Sequence, residues 1–162
     1  MLFDTLVKQV KENEILGILC HEIGHWHHSH IQQSLAIVLA YLGATFYAFS
    51  KLTTNRALYA SYGFVEMPMI VGLLLFFQTF WAPVDKALQF VITLKTRSNE
   101  YEADRYSTRH GHAGSLQRGL IKITVENLST LDPDEWYSTY HYTHPPLLQR
   151  VAEYDPSKPS AA

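Results

Sequence analysis

Two stretches without a formal charge constrain this chain more than any other feature. Ile31–Ser50 and Met67–Val84 contain no Asp, Glu, Lys or Arg. Each comes close to the roughly 20 residues with which an α-helix crosses the hydrocarbon core of a bilayer. Both runs are rich in Leu and aromatic residues, and no stretch alternates in the manner of a half-buried strand. The expectation is therefore a two-helix transmembrane hairpin. Gln32, Gln33 and Ser34 open the first run, and Pro68 and Pro83 break the second. A helical hairpin buried in a large soluble protein is the competing reading. Hydrophobic residues make up 47% of the 162, and charged residues 17%, below the roughly 25% of a soluble domain. The formal charge of −2 offers no basic face for a nucleic acid.

The rest of the chain organises around these runs. Leu2, Phe3, Leu6, Val7 and Val10 fall at helical spacing, and the charges among them exclude a secretory signal. A single portion spanning 1–162 is expected. It has a His-motif helix over 1–30, two apolar helices over 31–94 with a loop at 51–66, a helical segment over 95–154, and a tail over 155–162. Gly111 and Gly114 mark a break, Leu116–Leu128 a further helix, and Leu131–Asp134 a turn. One cysteine, Cys20, rules out an internal disulfide framework.

Nine histidines are unusual in a chain of this length, and they cluster. His21-Glu22-Ile23-Gly24-His25 is a His-Glu-x-x-His motif behind the apolar Ile15, Leu16, Ile18 and Leu19. Residues four apart on a helix lie one above the other, so His21 and His25 present both imidazoles to one point. That arrangement suits zinc. Glu22 lies about 100° round the helix, placed to take a proton from an attacking water and hand it to a leaving amine. The bland alternative is a helix with histidines on its polar face.

A catalytic zinc site commonly has a third protein ligand. His28 is the local candidate, continuing the stripe of His21 and His25, but seven residues climb about 10.5 Å, a strained reach round one tetrahedral ion. His27 and His30 read as solvated or interfacial polar residues. The distant candidate is Asn99-Glu100-Tyr101-Glu102-Ala103-Asp104-Arg105. Glu100 and Asp104 share a helix face, with Glu102 turned about 200° away. One member of the pair can bind metal while the other orients a ligand histidine. A solvated charged helix with surface ion pairs is the alternative. Two crossings return the chain to its starting side, so both motifs can meet at one membrane face. Lys86, Lys95, Arg97, Arg105, Arg109 and Arg118 beyond the second run, against Lys51 and Arg56 in the link, point to a cytosolic face.

Three blocks resemble the type 1 CAAX prenyl protease family, integral-membrane zinc metallopeptidases. They are Glu14–Trp26 with its His-Glu-x-x-His, Arg97–Asp104, and Tyr140–Arg150 with His144-Pro-Pro. With the hairpin between the first two, they cover residues 12 to 152. The resemblance implies His21, His25 and Glu100 as ligands of one zinc ion, Glu22 as general base, and Asp104 beside a ligand histidine. It implies His144 as a group that binds substrate backbone or the oxyanion, and it places Arg150 in the same block. From the residues alone, His144 can also be a histidine packed before Pro145, and Arg150 a structural ion-pair partner. Family members carry several transmembrane helices before the His motif, whereas residues 1–20 precede it here. The chain therefore resembles the C-terminal catalytic portion, with the N-terminal helices as missing partners.

The fold so implied is mainly α: an HExxH helix, a two-helix transmembrane hairpin and a C-terminal helical segment. The implied activity is zinc-dependent hydrolysis removing the last three residues of prenylated CAAX proteins. The implied place is the endoplasmic reticulum membrane or inner nuclear membrane, in contact with lipid, with the active face cytosolic or nucleoplasmic. Two rivals are a membrane quality-control peptidase without a prenyl requirement, and a zinc-stabilised scaffold without catalysis.

Overall fold

The structure, a computed structural model, describes residues 9–153. Leu2, Phe3, Leu6 and Val7 of the N-terminal pattern and the tail from Asp155 lie outside the described residues. Among those described, every regular element is helical. In chain order they are α1 (Glu12–His27), α2 (His30–Thr53), α3 (Arg56–Ser61), α4 (Met69–Leu74), a π-helical stretch (Leu75–Trp81), α5 (Ala82–Arg109), α6 (Ala113–Glu126), α7 (Glu135–His141) and α8 (Leu147–Glu153). They divide into two compact units, Met1–Ile31 with Ile92–Ala162, and Gln32–Val91.

In the first unit α1 packs against α6, and two glycines make the close approach possible. A Cβ on Gly17 would stand 2.5 Å from the Leu116 backbone nitrogen, and one on Gly119 would stand 3.1 Å from Ile18 Cδ1. Val10, Ile18 and Leu116 are buried in this contact, with Ile15, Leu120 and Ile123 packed round them. Each such side chain contributes about 1.5–3 kcal/mol when fully buried. Glu14 fastens the start of α1: its Oε2 accepts from the Lys11 backbone N–H at 2.8 Å and from Lys122 Nζ at 3.2 Å. Chiefly through the Lys11 bond, the Glu14 carboxyl is held below the usual carboxylate range.

The His-motif helix ends at His27, short of the expected 30, because Ser29 takes a left-handed conformation with φ 57°. The chain restarts as α2 at His30. Between α5 and α6, Gly111 supplies a positive φ of 83°, which glycine adopts without a Cβ clash. Arg97 ties the C-terminal helices to α5: Nη1 donates to the Ser138 carbonyl at 3.2 Å and Nη2 to Gln149 Oε1 at 2.8 Å.

The second unit is a helical hairpin. His30–Thr53 and the continuous helical stretch Met69–Arg109 are each long and apolar enough to cross a membrane. No residue of the first one's apolar window is buried. Tyr41 hydroxyl donates to Asp85 Oδ1 at 2.6 Å and accepts from Trp81 Nε1 at 3.3 Å. Phe76, with its ring centroid 5.2 Å from that of Phe49 and 5.6 Å from that of Trp81, fills the space between the helices.

Two local expectations are corrected here. Pro83 does not break the second apolar run: the preceding stretch widens to π-type bonding, with the Ala82 N–H donating to the Phe77 carbonyl. A widened turn lets a helix continue past a residue that has no N–H to give. The segment expected as a loop over 51–66 contains α3, because Asn55 is an N-cap. Its Oδ1 accepts from the backbone N–H groups of Ala57 at 3.1 Å and Leu58 at 3.3 Å.

Candidate metal centre

The His motif and the acidic motif, remote in sequence, meet in the first unit. His21 and His25 project from the same face of α1 with their Nε2 atoms 3.1 Å apart. Glu100 on α5 reaches both, with Oε2 3.6 Å from His21 Nε2 and Oε1 3.4 Å from His25 Nε2. Common coordination at bond lengths of roughly 2.0–2.1 Å requires tetrahedral edges of about 3.3 Å, and the three spacings straddle that length. Two imidazole nitrogens and one carboxylate are also the donor chemistry that a divalent metal takes when it keeps a position open. The residues present therefore fit a metal ion.

Glu100 is only 4% exposed, and Asp104, one turn further along α5, is wholly buried. Asp104 Oδ1 lies 2.7 Å from His21 Nδ1. Arg150 on α8 grips the same carboxylate, Nε donating to Oδ2 at 2.8 Å and Nη2 to Oδ1 at 2.6 Å. Its Nη1 is 3.7 Å from Glu100 Oε2. Pro145 and Pro146, both buried, lead into α8. Just before them His144 sets Nδ1 3.1 Å from Glu100 Oε2. That contact raises the His144 pKa above the ordinary histidine value.

Glu22 is exposed and opens on a cleft of about 470 Å³ that it shares with His21, Glu100, His144 and Arg150. Ile18, Leu116, Leu120 and Ile123 form an apolar wall of the same cleft. All seven residues that the sequence singled out are thus in one place. The two imidazoles and the carboxylate can hold a cation, and the exposed Glu22 can exchange a proton with whatever enters.

His28 joins none of this. Its Nδ1 lies 3.4 Å from Glu102 Oε1, away from the converging atoms of His21, His25 and Glu100. His30, read from the sequence as solvated or interfacial, is instead 3% exposed. Its Nδ1 is 2.9 Å from His25 Nδ1, and its Nε2 is 3.1 Å from Glu102 Oε2. Helical periodicity could not find this pair, since His30 is five residues from His25 and reaches it only because α1 stops at His27.

The description of peptidase family M48 matches residues 1–156. A CAAX prenyl protease 1 homolog of Oryza sativa subsp. japonica is 37% identical over 153 residues, which are 94% of this chain and 36% of the relative. CAAX prenyl protease 1 of Saccharomyces cerevisiae is 36% identical over 170 residues, covering 96% of this chain and 37% of the relative. The crystal structure of S. mikatae Ste24p superposes with a TM-score of 0.79 at 38% identity, over 95% of this chain and 38% of that one. The chain thus spans a little over a third of the length of these relatives. The matched stretch carries the converging His21, His25 and Glu100 along with both helices long enough to cross a membrane, and the chain belongs to peptidase family M48.

Proposed function

We propose that this chain is the catalytic part of a zinc-dependent membrane endopeptidase. The observation that carries the reading is the convergence of His21, His25 and Glu100 beside an exposed Glu22 in one cleft. Membership of the family implies a metal, and we assign one zinc ion to those three side chains. When bound, zinc supplies a Lewis acid for the scissile carbonyl and brings the pKa of water toward about 7.

The chain's own groups do the rest. Glu22 accepts the proton of the attacking water and returns it to the leaving amine. Asp104 holds His21 through Nδ1, and Arg150 holds Asp104, so that the ligand nitrogen stays aimed. His144, at the mouth of the cleft, donates a hydrogen bond to the substrate carbonyl as negative charge develops there. The apolar wall of Ile18, Leu116, Leu120 and Ile123 suits aliphatic side chains next to the cut bond.

The similar proteins are CAAX prenyl proteases, and the substrates we assign are prenylated proteins ending in CAAX, shortened by three residues. A prenyl chain partitions into the bilayer beside the two long apolar helices. The location we assign is the endoplasmic reticulum membrane, inner nuclear membrane included, with the cleft on the cytosolic or nucleoplasmic side. Glu22→Gln in the whole protein tests the reading. Metal content is expected to stay while cleavage of a farnesylated CAAX peptide falls by several orders of magnitude. Unchanged cleavage overturns it, and equal cleavage of an unprenylated peptide removes the CAAX assignment.

A further inference from the structure

His21 and His25 are not backed alike, and the difference points to a role for two residues that the peptide-cleaving site does not otherwise use. Behind His21 stands the buried carboxylate of Asp104. Behind His25, among the described residues, stands the ring of His30, which in turn meets Glu102. We propose that His30 and Glu102 are positioning residues for the metal centre, a His–carboxylate relay that fixes the tautomer of His25.

With His25 Nε2 kept as the ligand atom, the hydrogen bonds take one order. Glu102, an acceptor when ionised, takes a proton from His30 Nε2 at 3.1 Å. A neutral His30 then has a bare Nδ1, which can only accept. His25 Nδ1, 2.9 Å away, is the donor that meets it. With its proton so committed, His25 carries its lone pair on Nε2, the atom that faces His21 and Glu100. Ligand histidines characteristically give their second N–H to an outer partner, which sets ring orientation and basicity. Here that partner is a second histidine, with the carboxylate one ring further out.

The local structure is built to hold this arrangement. His30 is 3% exposed, and its place depends on the left-handed Ser29, φ 57°, that turns the chain back after α1. That conformation is uncommon for a residue other than glycine. Glu102 is pinned from two sides, Oε2 by His30 and Oε1 by His28 at 3.4 Å.

The proposal rests on His25 being a metal ligand, and the experiment separates the two. Zinc affinity of the purified whole protein is measured by chelator competition, and the ligand field by the visible spectrum after cobalt(II) substitution. His25→Ala tests the metal centre itself. His30→Phe removes both hydrogen bonds, His30→Asn keeps an acceptor where Nδ1 stood, and Glu102→Ala leaves the ring but frees its far side. The relay predicts a fall in zinc affinity of about 10–100-fold for His30→Phe and about tenfold for Glu102→Ala, with an altered cobalt spectrum. His30→Asn is expected to recover most of the affinity. If His25→Ala loses the metal while Glu102→Ala and the His30 variants keep parental affinity and spectrum, the relay is overturned and the metal centre stands. If His25→Ala keeps the metal, the centre itself is misassigned. Glu102 is 38% exposed at its side chain, so its variant remains informative should His30→Phe fail to fold.

Discussion

Arg150 holds Asp104 by two hydrogen bonds, Nε to Oδ2 at 2.8 Å and Nη2 to Oδ1 at 2.6 Å, with the carboxylate wholly buried. Removing the cation strands a buried anion, a loss on the order of 3–5 kcal/mol. Arg150→Ala is therefore expected to lower thermal stability by that amount and to weaken metal binding through His21. Arg150→Lys keeps the charge without the planar fork and should recover only part of the loss. Melting curves of the metal-free proteins check the first effect.

Gly17 and Gly119 both lie in the α1–α6 contact, yet substitution there meets different obstacles. A Cβ at position 17 runs into the Leu116 backbone at 2.5 Å, whereas at 119 it meets the flexible end of Ile18 at 3.1 Å. Gly17→Ala is expected to cost about 1–3 kcal/mol by forcing the helices apart. Gly119→Ala should cost clearly less, and a reversed ranking in denaturant unfolding would refute the packing described here.

Tyr41 and Asp85 join the two helices of the hairpin at 2.6 Å. Side-chain hydrogen bonds between membrane helices average about 0.6 kcal/mol, with about 1.7 as an upper value. A double-mutant cycle of Tyr41→Phe and Asp85→Ala in detergent or bilayer should give a coupling within that range. A coupling of zero would mean the pair does not form.

His144 has a pKa raised by its hydrogen bond to Glu100. In the metal-free protein this contact stabilises the folded state when His144 is protonated. Its contribution is fully present below the ordinary histidine value, about 6.5, and is lost as pH rises through the raised value. The gap in melting temperature between the metal-free parent and His144→Ala is expected to be widest in mild acid and to close as pH rises through the raised His144 value.

Much of this architecture is written in simple spacing. Charge-free runs give the two long helices, and i, i+4 spacing puts His21 with His25 and Glu100 with Asp104. What spacing could not supply are the interruptions. The left-handed Ser29 decides where His30 goes, and a single residue's φ leaves no periodic trace. Asn55 reads equally as a turn former and as a helix cap, and only the free N–H groups of Ala57 and Leu58 decide between them. Pro83 reads as an interruption of the apolar run, and spacing gives no sign of the π-type stretch before it that carries the helix through. Helical spacing turns Glu102 away from Glu100 and Asp104 but does not show the histidines that meet it, because His28 and His30 come from elsewhere in the chain.

X-ray absorption at the zinc edge, on the purified whole protein and on its Glu100→Ala variant, tests the central claim most directly. The account predicts one zinc per chain bound by two imidazole nitrogens and a carboxylate oxygen. It predicts that Glu100→Ala loses more affinity than the about 10–100-fold typical of an outer partner. An unchanged coordination shell and unchanged zinc content in the variant would contradict it.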